Sequence, residues 1–339
     1  MRQLVYTEAE IMSHHDYARE HVVGGMSVHG GFDADGNYLS PRTRVRLGAV
    51  AAWTEALRER GGDIIAVDPA VIERDRYPNE QQMKLLLREG VERPFWDSLT
   101  VIGLLEARGR FLAEVDFPDL QKIVVEGISE MGIGHLSKGM LKAHGLDEGG
   151  EPDKGIGAHD VMWFVVRDLA FGPRDFPMPV APELLGRPDA ARRLAPELPE
   201  ACERLILFMM NLLMIEYGAE SLFSFNQRIL RDPGLFTDRR AEAEEAAEII
   251  ERIRQDEVIH VTSLRTNLGE LRSITFKATD GGTARGAEII DRLFSVITHF
   301  VLVEAPKLQR DEQHRALRRR ILEHPDGPQI LERFDALEA

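Results

Sequence analysis

Apolar residues recur at helical spacing along most of the chain. Val45, Leu47, Val50, Trp53 and Leu57 can share one side of a helix over 45–60, which Gly61-Gly62 stops. A short apolar run at 64–67 reads as strand or extended chain, and a short helix is expected near 80–89. From Pro94 the pattern lengthens. Leu99, Ile102, Leu105 and Leu112 place a helix over 95–115, a tight break follows at 116–119, and a second helix is expected over 120–144 with Gly145 as its stop. A shorter helix is expected over 160–169. The proline-rich stretch 172–199 wraps the surface, with a short helix near Ala190. The strongly apolar stretch 200–230 reads as a central helix. Asp232-Pro233-Gly234 turns the chain, and the next helix runs to about residue 275 with a break near Gly269. A fifth long helix covers 288–323.

These elements predict an all-α fold. An irregular and partly helical extension over 1–93 packs on a helical bundle over 94–324. Hairpins at 95–145 and 200–275 and the fifth helix make the bundle, and 325–339 is a tail. The two hairpins look like halves of a diverged duplication. A chain of 339 residues is long enough for a sizeable core. The net charge of -15, with no strongly basic block, argues against nucleic acid as the main partner. Cys202 is the only cysteine, so no intrachain disulfide forms and a reducing, cytoplasmic location is expected. The longest apolar run, 205–215, is too short to span a bilayer, so no membrane partner is expected.

The candidate chemistry lies in the hairpins. Glu257 and His260 are three apart, one turn along the same helix face, and together can hold a transition metal. Glu216 ends a run apolar on nearly all sides, where a lone carboxylate is costly to bury unless paired or metal-bound. Glu216 and Glu257 are equidistant from the turn between them. Glu106 and Glu130 are likewise equidistant from the 116–119 break, and His135 follows Glu130. These six residues, Glu106, Glu130, His135, Glu216, Glu257 and His260, form the expected ligand set of a two-metal site. The Glu130–His135 spacing of five residues separates the two side chains by about 140° on a regular helix. Either a π-bulge at Gly132 and Gly134 reunites them, or only one of them binds. Glu126, one turn before Glu130, and Glu220, two residues off the symmetric centre, are additional candidate ligands. Asp256 projects about 100° from Glu257 and is a candidate acceptor for the outer N–H of His135.

Asp256-Glu257-Val258-Ile259-His260, and Glu216-Tyr217-Gly218-Ala219-Glu220-Ser221-Leu222-Phe223 with its small residue and then an aromatic after the carboxylate, resemble the two-metal carboxylate branch of the ferritin-like superfamily. The resemblance implies a four-helix bundle holding two iron ions, or two manganese ions. Glu130 and Glu257 would bridge, and Glu106 and Glu216 would bind one metal each. It further implies an oxidoreductase that uses dioxygen to oxidise a small organic substrate. A dimanganese catalase-like or peroxidase-like enzyme acting on peroxide is the alternative, as is a metal-free helical binding module. Iron storage is disfavoured, and a homodimer is compatible with the sequence.

Overall fold

The computed structural model describes all residues except 1, 74–75, 183–186, 188, 190–191 and 338–339. The helix expected near Ala190 therefore lies outside the described residues. The chain is mostly helical. Its helices are α1 (Glu8–Ile11), α2 (Thr43–Glu59), α3 (Glu80–Arg88), α4 (Arg93–Gly109), α5 (Leu120–Ile123), α6 (Leu141–Gly149), α7 (His159–Phe171), α8 (Glu200–Leu230), α9 (Arg240–Ser273), α10 (Gly286–His299), α11 (Ala305–Leu322) and α12 (Gly327–Asp335). The segment read as a tail thus holds a helix. Ile330 and Phe334 of α12 are buried with Leu86 of α3 and Val91.

The N-terminal extension is less irregular than its sequence suggests. Strands β1 (Arg19–Val23), β2 (Met26–Phe32) and β3 (Tyr38–Leu39) form an antiparallel sheet in the order β1-β2-β3. Val23 pairs with Met26 across a two-residue turn, where Gly24 and Gly25 take φ of 55° and 80°. Both turn positions need positive φ, and glycine supplies it without steric cost. The run 64–67 joins no sheet. It lies extended along α9, with the Ile65 N–H donating to the Arg265 carbonyl at 3.0 Å. Gly269 does not break α9. A Cβ there would meet the Asp63 carbonyl at 2.4 Å, so its bareness admits this extended strap.

The second expected helix of the first hairpin is the main departure. Only one turn forms after Asp119, and Val125 then donates to Thr275 at the edge of β4 (Thr275–Lys277), which pairs with β5 (Thr283–Arg285). A 3-10 turn at Gly132–His135 and a wide π-type turn at Leu136–Met140 follow, and only then does α6 begin. Gly134 accounts for part of this, since a Cβ there would lie 2.0 Å from the Ile128 carbonyl. Gly145 is not a stop. It lies inside α6, where a Cβ would meet the Ala113 amide at 2.5 Å. With Gly109 and Gly149 it lets α6 lie almost on the backbone at the end of α4.

Two apolar cores flank the centre of the bundle. One gathers Leu205–Met214 of α8 and Leu264–Leu271 of α9, and the other gathers Phe223–Leu230 and Ala243–Ile253 of the same helices. Glu216, Glu257 and His260 fall between them. By length and composition alone, α8 could cross a membrane; it packs on α9 and α10 and carries buried Glu203 and Glu216.

Candidate metal centre

Five helices meet where the two apolar cores part. Glu106 comes from α4, His144 and Glu148 from α6, His159 from the first turn of α7, Glu216 from α8, and Glu257 with His260 from α9. His144 and Glu148 are four apart and so share one face of α6. His159 faces inward from the helix start that follows Gly157. All but Glu106 are buried, and Glu106 keeps 15% of its side chain exposed.

The ligand atoms divide into two groups that share Glu148. In the first, His144 Nε2 lies 2.9 Å from Glu216 Oε1 and 3.4 Å from Glu148 Oε1, and His260 Nδ1 lies 3.0 Å from the same Glu148 oxygen. The two imidazoles stack in parallel with centroids 3.8 Å apart. In the second, His159 Nδ1 lies 3.2 Å from Glu148 Oε2, 3.2 Å from Glu257 Oε1 and 4.0 Å from Glu106 Oε2. Glu257 also reaches the first group, with Oε2 at 2.9 Å from His260 Nδ1. Glu148 and Glu257 therefore each offer one oxygen to either side.

The electrostatics are those of a site built around positive charge. Four carboxylates face one another, and they cannot all ionise without compensation. Burial, then Glu148, pushes Glu106 well above the usual carboxylate range, and burial, then Glu257, does the same to Glu216. Burial would also raise Glu148, but His159 foremost holds it well below that range. Burial would neutralise His159 and His260, but Glu148 and Glu257 respectively hold their pKa values well above the usual imidazole range. Burial, then His260, lowers His144. Glu148 Oε1 and Glu257 Oε1 are buried without a hydrogen-bond partner. Orphaned oxygens among histidine nitrogens fit cations, as does the mixed oxygen and nitrogen donor set.

Outer contacts fix the ring orientations. His260 turns Nε2 to Asp147 Oδ2 at 3.1 Å, and Asp147 is gripped by Arg42 at 2.7 Å and by Arg46. His159 turns Nε2 to Asp256 Oδ2 at 3.2 Å, and that oxygen accepts from the Tyr38 hydroxyl at 2.9 Å. Such carboxylates set the tautomer and leave the inner nitrogen free to ligate.

Of the six ligands expected from sequence, the structure brings four together: Glu106, Glu216, Glu257 and His260. Glu130 and His135 are a correction. Glu130 is exposed in the loop before the 3-10 turn. His135 is buried elsewhere, its Nε2 accepting from the Tyr6 N–H at 3.0 Å and its Nδ1 lying 2.8 Å from the Met131 carbonyl. The additional candidates also serve other ends. Glu126 accepts from the Thr275 N–H at 2.9 Å, and Glu220 is paired with Arg254. Asp256 does face an imidazole of the candidate centre, but it is His159 and not His135. Sequence reasoning missed His144, Glu148, His159 and Asp147. The available signal was His144-x-x-x-Glu148, which reading Gly145 as a helix stop had split.

No family model, curated protein or solved structure matches the chain.

Proposed function

We propose that this chain is a two-metal carboxylate oxidoreductase of ferritin-like type, binding two iron ions and using dioxygen to oxidise a small organic substrate. One observation carries the reading: Glu148 and Glu257 each lie among histidines of both ligand groups, so each can bridge two ions. Two divalent cations also match the charge of four carboxylates. The arrangement of one carboxylate from each of α4, α6, α8 and α9, with histidines on two of those helices, supports the bundle-type assignment. A bound iron pair supplies redox chemistry that side chains lack. The protein's part is to hold the donors. Asp147 and Asp256 aim His260 and His159, and the two flanking cores keep bulk water out. Glu106 is the ligand nearest solvent, so substrate entry belongs on the α4 side.

Anaerobic reconstitution with ferrous iron, followed by elemental analysis and oxygen uptake, tests the reading. At least two irons per chain and oxygen consumption are expected. Oxygen-evolving turnover of peroxide by the manganese-loaded protein, with none of the dioxygen uptake, would favour the dimanganese alternative. Failure to bind either metal would leave a metal-free binding module as the account.

A further inference from the structure

We infer that a third metal position adjoins the pair, held by His29 Nε2, Asp256 Oδ2 and the outer nitrogen, Nε2, of His159. It rests on the two-metal reading only in that His159 would then ligate through both of its nitrogens. His29 comes from β2, Asp256 from α9 and His159 from α7. All three are buried, at 4%, 0% and 0% exposure.

The geometry suits a small cation. His29 Nε2 lies 3.3 Å from Asp256 Oδ2, and His159 Nε2 lies 3.2 Å from the same oxygen. The imidazole planes of His29 and His159 are nearly perpendicular, at 85°, with centroids 5.0 Å apart. For bonds of about 2.1 Å, the ligand atoms of a tetrahedral site stand about 3.4 Å apart. The two groups of the main centre show the same spacings.

A second observation is independent of the clustering. Both ring nitrogens of His29 are buried without a hydrogen-bond partner, because the contact with Asp256 lacks hydrogen-bond alignment. Asp256 Oδ1 is likewise unsatisfied. Leaving a polar group unpaired in the interior is costly, and coordination removes that cost for His29 Nε2. Gly30, beside His29, is part of the construction. A Cβ there would lie 2.4 Å from the Tyr38 hydroxyl, so only a bare residue lets Tyr38 reach Asp256.

Two imidazoles and one carboxylate select a zinc- or iron-class ion over calcium or magnesium. Loading would release the Nε2 proton of His159 to solvent, as ligand deprotonation does at other metal sites. The N-terminal sheet then has a direct task, to carry His29 and Tyr38 to the bundle.

The test is to load the full chain anaerobically with ferrous iron, then with zinc chloride, and to locate the ions by anomalous diffraction at both absorption edges. A peak between His29 and Asp256, and three ions per chain by elemental analysis, are expected. His29→Gln and His29→Ala should each lose one ion and retain two, with unchanged far-ultraviolet circular dichroism. Two ions at the carboxylate pair and none near His29 would overturn the third position and leave the pair reading standing. An ion near His29 with none at the pair would support this position and overturn the pair. Retention of the His29 peak in His29→Gln would also overturn the inference.

Discussion

Asp147 Oδ2 lies 3.1 Å from His260 Nε2, and the residue after Asp147 is the shared ligand Glu148. A single turn of α6 therefore both supplies the carboxylate shared by the two ligand groups and aims a histidine on another helix. Burial would raise Asp147, but Arg46 foremost, then His260 and Arg42, hold it well below the usual carboxylate range. Asp147→Asn should weaken metal affinity about 10- to 100-fold, the usual effect of losing such an outer partner. Competition with a chelator of known affinity checks this. Asp147→Ala should in addition cost about 3–5 kcal/mol of stability, because buried Arg46 loses its carboxylate and buried Arg42 keeps only Glu151.

The two groups of ligands share Glu148, whereas Glu130 faces solvent. Glu148→Ala should abolish binding of both ions of the pair, and Glu130→Ala should leave the metal content unchanged and stability within about 0.5 kcal/mol. Elemental analysis of the two variants decides. Equal metal content in both would sink the assignment.

Burial, then Glu257, pushes the Glu216 carboxyl well above the usual carboxylate range in the metal-free protein, so carrying its charge there is a cost to the fold. Glu216→Gln should raise metal-free stability by an amount on the order of 1 kcal/mol while lowering metal affinity, the usual opposition at functional sites. Thermal melts with and without ferrous iron read both effects. A variant that lost stability in the metal-free state would contradict the charge crowding described above.

Glu270 gives a pH signature away from the metal ligands. Burial pushes its carboxyl up to about 7, although the Ile133 N–H donates to it at 3.0 Å. The folded pKa is raised, so the native state holds a proton that the unfolded chain has released between about pH 4.5 and 7. The contribution is fully present below pH 4.5 and is lost as pH rises through about 7. The loss is at most about 3 kcal/mol. Glu270→Gln should flatten that part of the stability profile in urea titrations from pH 4.5 to 8.

How much of the site the sequence discloses depends on local regularity. Helices α8 and α9 are long and joined by a short turn, so equal distance from the turn brings Glu216 and Glu257 together. The same construction fails in the first half because 124–140 is not a helix. Its backbone is spent on β4, on the α9 carboxylate of Glu270 and on turns that only glycine permits. Gly145 misleads for a related reason. A glycine admitting close approach and a glycine ending a helix are the same letter, and only the neighbour, Ala113, distinguishes them. The mostly helical architecture is legible from periodicity. The sheet is less so, since its strands are short and its apolar alternation is interrupted by Gly30 and Gly31.

Tyr38 and Asp256 are 218 residues apart in sequence and joined by one hydrogen bond. The candidate centre is thus stitched from the N-terminal sheet and a helix late in the chain. During synthesis, the first strands would wait for α9 to leave the ribosome before the pocket closes. Contacts of such long sequence separation form late and slowly. Chains lacking α9 would lack Asp256, Glu257 and His260, so the donor set of the candidate centre is complete only once that helix has been made.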